Sequence, residues 1–154
     1  MKSLIVYYSR SGRTKLVAMK LAELLNSETE EIVDFKPRKG FLGWLISGYD
    51  ALTKKITEIA PLTKNLDDYD HIILCSPVWA LSIPPAIRTF LNLYKEEIKN
   101  ISFIATMSST GAKKMFKQLE ELAGRKPKFV LAIDNKNLTT DKYIDNLKEI
   151  VENL

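Results

Sequence analysis

The chain carries one cysteine and one histidine in 154 residues. A single thiol, Cys75, has no partner for an internal disulfide, and two such ligands fall short of a structural zinc site or an iron–sulfur cluster. Glycine is sparse as well, with six in all. The loop after the first apolar run holds only Gly12, so it has neither the glycines and lysine of a P-loop nor the three glycines of a dinucleotide fingerprint. No apolar run approaches membrane-spanning length. The opening MKSLIVYYSRSG has too short an apolar core and no A-x-A-like site for a secretory signal, so the cytoplasm is the expected compartment.

A strong charge bias is also missing. Lys plus Arg minus Asp plus Glu is 23 − 19 = +4. The stretch 36–55 alone holds Lys36, Arg38, Lys39, Lys54 and Lys55 against Asp50, which equals that excess. A surplus this local points to an acidic partner or an anionic ligand near the segment and falls short of the basic stripe that nucleic-acid binding needs.

What is present is an alternation. Apolar runs at Leu4 to Tyr8, Glu31 to Phe35, Ile72 to Cys75, Ile101 to Thr106 and Phe129 to Ile133 read as five strands. Helical spacing of apolar residues recurs between them: Leu16 to Leu25, Ile83 to Tyr94, Met115 to Leu122 and Tyr143 to Leu154. Strands that are apolar along most of their length are buried on both faces, so helices cover them from two sides through right-handed crossovers. The expected fold is a three-layer α/β domain over residues 1–154, a doubly wound, five-stranded parallel sheet. The stretch 36–62 reads as an elaborated crossover, with Gly40, Gly43 and Gly48 spaced among aromatic and aliphatic residues before a helix from Tyr49 to Ile59. There is no internal repeat and no linker.

Open sheets of this kind bind ligands beyond the carboxyl ends of their strands. Three loops there have unusual composition. In SRSGRT the hydroxyls of Ser9, Ser11 and Thr14 suit phosphate oxygens, Gly12 permits a tight turn, and the amides opening the next helix point at an anion; the same serines also suit simple helix capping. In SPVWALSIPP, Pro77 and Trp79 follow a buried strand and Pro84 or Pro85 starts a helix. The indole can stack on a flat ligand or cover the core edge. In MSSTG, Ser109 or Thr110 can cap a helix or face a ligand. Asp67, Asp68 and Asp70 read as a turn, His71 as a surface or strand-start residue, and Cys75 as a small core residue.

Over essentially the whole chain the sequence resembles the flavodoxin family. YYSRSGRT is similar to the family's Ser/Thr-x-Ser/Thr-Gly-x-Thr phosphate loop, and SPVWALSIPPAIRTFL is similar to its ring-contacting loop and following helix. The resemblance implies the strand order 2-1-3-4-5 and FMN at the switch point between strands one and three. It implies that Ser9, Arg10, Ser11, Gly12, Arg13 and Thr14 cradle the phosphate. Pro77, Val78, Trp79, Ala80 and Leu81 would line the isoalloxazine, with Ser108, Ser109, Thr110 and Gly111 on its other side. The sequence departs from the family pattern at Arg13, where a small polar residue is common, and in its pI near 9.1, where many flavodoxins are acidic.

The implied function is FMN-binding electron transfer, with a redox partner protein or NAD(P)H as partner. Two other readings are an NAD(P)H-dependent FMN reductase of quinones or similar acceptors, and a binding module that kept the fold without the cofactor. For 36–55 two arrangements stand open. Trp44 and Tyr49 border the flavin while the lysines attract a negative partner or the phosphates of a nicotinamide cofactor, or Phe41, Trp44 and Ile46 pack onto the sheet edge.

Overall fold

The computed structural model describes residues 1–36, 38 and 40–154. Lys39, counted above in the basic stretch, lies outside the described residues. Five strands, β1 (Ser3–Tyr7), β2 (Glu28–Glu31), β3 (His71–Pro77), β4 (Ile101–Met107) and β5 (Val130–Asp134), form one sheet in the order β2-β1-β3-β4-β5. Every neighbouring pair is parallel. The helices are α1 (Arg13–Leu25), α2 (Gly40–Leu52), α3 (Pro85–Tyr94), α4 (Ala112–Ala123), the five-residue α5 (Asn135–Thr139) and α6 (Lys142–Glu152). A single 3₁₀ turn at Leu66–Asp68 leads into β3, where the aspartates predict one.

Side chains alternate across a strand, so β1 feeds two cores at once. Leu4 and Val6 join Ile72, Leu74 and Phe103 under α3 and α4, where Ile83, Ile87, Phe90, Met115 and Leu119 close the layer. Ile5 and Tyr7 join Ile73, Cys75 and Ile104 under α1 and α6, against Val17, Leu21, Tyr143 and Leu147. Each fully buried aliphatic side chain contributes about 1.5–3 kcal/mol, which fixes the central strands and holds the loops at their carboxyl ends in place.

Two elements differ from the expectation. The second strand lies at Glu28–Glu31, earlier than the Glu31–Phe35 run, because it is an edge strand held by polar partners. The Glu30 carboxylate is buried and accepts from the Thr63 amide and hydroxyl, both at 2.7 Å. The helix of the elaborated crossover spans Gly40–Leu52 and ends where Lys54 turns left-handed at φ 54°, so Thr53 to Ile59 is not helical. Among the described residues no helix is long and apolar enough to cross a membrane.

Candidate functional site

At the carboxyl ends of β1, β3 and β4 lies a cleft of about 670 Å³, within the range of small-molecule and cofactor sites. Its lining comes from all three loops singled out in the sequence: Arg10, Ser11, Arg13 and Thr14; Pro77, Val78, Trp79, Ala80 and Leu81; Ser108, Ser109 and Thr110. Ser9, Gly12 and Gly111 do not line it. Among the described lining residues there is no carboxylate, whereas Arg10 and Arg13 are both present. The cleft therefore favours an anion.

The arginine end is built by α1. Its N-cap is Gly12, left-handed at φ 91°, with no side-chain cap. Ser9 Oγ instead accepts from the Gly12 amide at 3.1 Å and closes the turn. The first amides of a helix have no intrahelical acceptor, and the helix dipole adds positive character there. Thr14 is buried in that first turn, and its hydroxyl shares a 2.8 Å hydrogen bond with the hydroxyl of Thr106 at the end of β4. Burial lowers the Arg10 pKa, and Arg38 and Arg13 nearby lower it further, although Tyr8 opposes this. Among the described residues neither Arg10 nor Arg13 forms a salt bridge, whereas Arg38 does.

The opposite wall is a two-residue hairpin. Trp79 and Ser82 exchange backbone hydrogen bonds at 3.2 and 2.9 Å, and the corner residues Ala80 and Leu81 both sit left-handed, at φ 47° and 59°. Non-glycine residues pay about 1 kcal/mol or more each for that conformation. The turn is held by its surroundings: the Val78 amide donates to the Thr106 carbonyl at 2.9 Å, and Ser82 Oγ donates to Gln118 on α4 at 2.9 Å. Gly111, at φ 107°, starts α4 against this hairpin, and a Cβ there would lie 2.8 Å from Val78 Cγ1 and 2.9 Å from Leu81 Cδ2. Gly111 thus sets the spacing of the two loops. Neither Ser109 nor Thr110 caps α4, so their hydroxyls stay available at the cleft.

Trp79 is 6% exposed and belongs to the core edge and to the cleft lining together. Tyr8 meets it edge-on at 5.5 Å, and the guanidinium groups of Arg10 and Arg38 lie over it at 4.9 and 5.5 Å. Cations over an indole face fix its plane. Arg38 is in turn bound to Asp34 at 2.6 Å and to Asp50 at 3.0 Å, while Lys36 reaches Asp50 at 2.6 Å. Burial alone would raise the Asp50 carboxyl, yet the hydrogen bonds from Lys36 and Arg38 outweigh it and hold the pKa below the ordinary value.

That ion network orients α2. Its inward residues are Gly43, Ser47, Asp50 and Ala51, and Gly43 lies against the Arg38 backbone. The large side chains therefore face outward, and Trp44, Leu45, Tyr49 and Leu52 form a further wall of the cleft. Phe41, Trp44 and Ile46 do not pack onto the sheet edge: all three are exposed, because Asp50 claims the inward face. Sequence reading missed Thr106, Met107, Leu45, Gly48 and Leu52 as lining residues. The signal for the α2 members was helical spacing with Trp44 and Tyr49; Thr106 had only its place at the end of an apolar run.

His71 and Cys75 stand apart. His71 starts β3 at the far end of the sheet, fully buried rather than on the surface, with Nε2 2.8 Å from Ser102 Oγ. Burial, with Lys128 adding to it, pushes its imidazole down to about 4. Burial pushes the Cys75 thiol up to about 12, which keeps it an inert core residue.

A family model described as Flavodoxin matches residues 2–154. No curated protein matches the chain by sequence. Among solved structures, a flavoprotein of Lactobacillus acidophilus in complex with FMN is 27% identical over 90% of this chain and 97% of its own, with a TM-score of 0.74. The apo-form of the flavoprotein from that organism, solved by NMR, is 25% identical over 92% and 96%, with a TM-score of 0.65. Oxidised flavodoxin 1 of Bacillus cereus is 19% identical over 100% and 99%, with a TM-score of 0.60, a likeness of fold.

Proposed function

The chain belongs to the flavodoxin family, and we propose that it binds FMN in the cleft at the carboxyl edge of its sheet and carries electrons between redox partners. The observation that carries this reading is the polarity of the cleft. One end gathers a helix start, two arginines and the hydroxyls of Ser11 and Thr14 with no carboxylate among the described lining residues, and much of the remainder is a wall of Trp79, Val78, Leu81, Trp44 and Leu45.

The residues fit the group part by part. The amides of the first turn of α1, with Ser11, Thr14, Arg10 and Arg13, hold the phosphate. Ser9 and Gly12 shape that loop from behind. The ring lies between the Trp79 hairpin and Ser108 to Thr110, at the separation Gly111 sets. Bound FMN supplies the redox chemistry at its ring. The protein's part is to orient that ring by Trp79, to exclude water with its apolar walls, and to offer hydroxyls and amides at the ring edge. The donors and acceptors served are redox proteins. The compartment is the cytoplasm.

The test is reconstitution. Purified protein mixed with FMN turns yellow and quenches the flavin's fluorescence, and NADPH alone bleaches it only slowly, whereas NADPH with a reductase protein bleaches it fast. Failure to bind FMN at micromolar concentration contradicts the cofactor, and rapid bleaching by NADPH alone contradicts the carrier role.

A further inference from the structure

We propose that α2 is a membrane-surface anchor that seats the protein on an anionic lipid bilayer. The helix reverses the usual amphipathic order. Apart from Tyr49 and Trp44, its two side chains with polar groups, Ser47 and Asp50, are turned inward at 0% and 3% exposure, while Phe41, Leu42, Ile46 and Tyr49 stand 75%, 73%, 39% and 59% exposed. Of these, Phe41, Leu42 and Ile46 do not line the cofactor cleft, so occupation of that cleft leaves them uncovered. An outward face of this size is unusual on a soluble surface and marks an interaction site.

The rim decides what that site takes. Lys54, Lys55 and Ile56 follow the helix after Thr53, all exposed; Lys55 stands 3.9 Å from Asp50, and Lys36, which precedes the helix, is bound to Asp50 in the ion network. Between Phe35 and Thr57 the only acidic residue is Asp50, which is buried in its ion network. The outward face is thus apolar with Lys54 and Lys55 at its end, the pattern that lies in the headgroup layer of anionic lipids with its lysines reaching the phosphates. A protein partner would be recognised through hydrogen bonds as well, and the helix offers outward only the Tyr49 hydroxyl and the Trp44 indole N–H, the two amphipathic side chains that also suit a membrane interface. A second copy would set one lysine border against another. Because α2 also walls the cleft, seating it brings the cleft's mouth to the lipid boundary.

Flotation of the full chain with phosphatidylcholine vesicles, with and without phosphatidylglycerol, tests this. Binding is expected to the anionic vesicles and to be weak on neutral ones. Leu42→Ser and Ile46→Ser should each weaken it roughly tenfold, and Lys54→Gln with Lys55→Gln roughly tenfold or more, with less effect at high salt. FMN binding stays unchanged in all of these variants, which separates the anchor from the cofactor reading. The absence of flotation overturns the proposal. So does a dependence on the lysines alone, with the apolar variants binding vesicles and soluble polyglutamate like the parent, which identifies an acidic protein surface as the partner. A lipid-free dimer dissolved by Leu42→Ser assigns the face to a second copy and overturns it too.

Discussion

Thr14 and Thr106 are 92 positions apart in sequence and share one buried hydrogen bond, 2.8 Å between hydroxyl oxygens, at the point where α1 meets the end of β4. Each hydroxyl has further hydrogen-bonding capacity, and both residues line the cleft. The bond therefore couples the phosphate loop to the strand that carries the Ser108–Thr110 loop.

Thr14→Val leaves the Thr106 hydroxyl buried without a partner, which costs about 1–3 kcal/mol of stability. If Thr14 holds the phosphate as proposed, the substitution also removes one contact with it. Adding Thr106→Val should restore most of the stability and none of the FMN affinity, a separation that urea unfolding and fluorescence titration of the two variants measure. If affinity returns with stability, Thr14 acts only through packing.

Gly12 and Gly111 both open helices at positive φ, but only Gly111 is crowded. Gly12→Ala meets nothing within 4 Å and pays the backbone strain alone, about 1–2 kcal/mol. Gly111→Ala pays that and must also push Val78 and Leu81 aside, so it should be the more destabilising of the pair and should alter the flavin's visible spectrum. Thermal melts and absorption spectra decide it; equal losses and unchanged spectra would count against the spacing role.

The buried His71 makes stability depend on acid. Its folded pKa is held from the ordinary 6.5 down to about 4, so in that window the unfolded chain binds a proton that the folded one refuses. Stability from this group is intact above the unfolded value and falls as pH drops, by about 3 kcal/mol between pH 7 and pH 4. His71→Gln, whose amide can still meet Ser102, should flatten the acid side of the stability profile relative to the parent chain. Parallel profiles for the two proteins, measured by urea unfolding across that range, would show that His71 is not the group responsible.

The legibility of this fold follows burial. β1, β3 and β4 are covered on both faces, so Leu4 to Tyr7, Ile72 to Cys75 and Ile101 to Thr106 announce themselves as apolar runs. β2 has one neighbour in the sheet and keeps its place through polar bonds, Glu30 to Thr63 and Glu28 to Lys64 and Tyr69, which leave no hydrophobic trace. The α2 helix was hidden for the opposite reason. Its inward residues are small or charged, and a reading that looks for an apolar inner face starts it nine residues late, at Tyr49 instead of Gly40. The three loops were visible because hydroxyls, glycine and an indole at strand ends are poor choices for turns alone. Thr106 was not, since a threonine closing a strand looks like any β-branched residue there.

The central claim is that the α1 end of the cleft grips a phosphate, and comparing FMN with riboflavin, which has the ring and lacks the phosphate, tests it most directly. Titrated by fluorescence quenching, FMN should bind one to one, and riboflavin roughly a hundredfold or more weaker, since charge-assisted hydrogen bonds from Arg10, Arg13 and the helix amides are lost together. Equal affinity for the two would contradict the account.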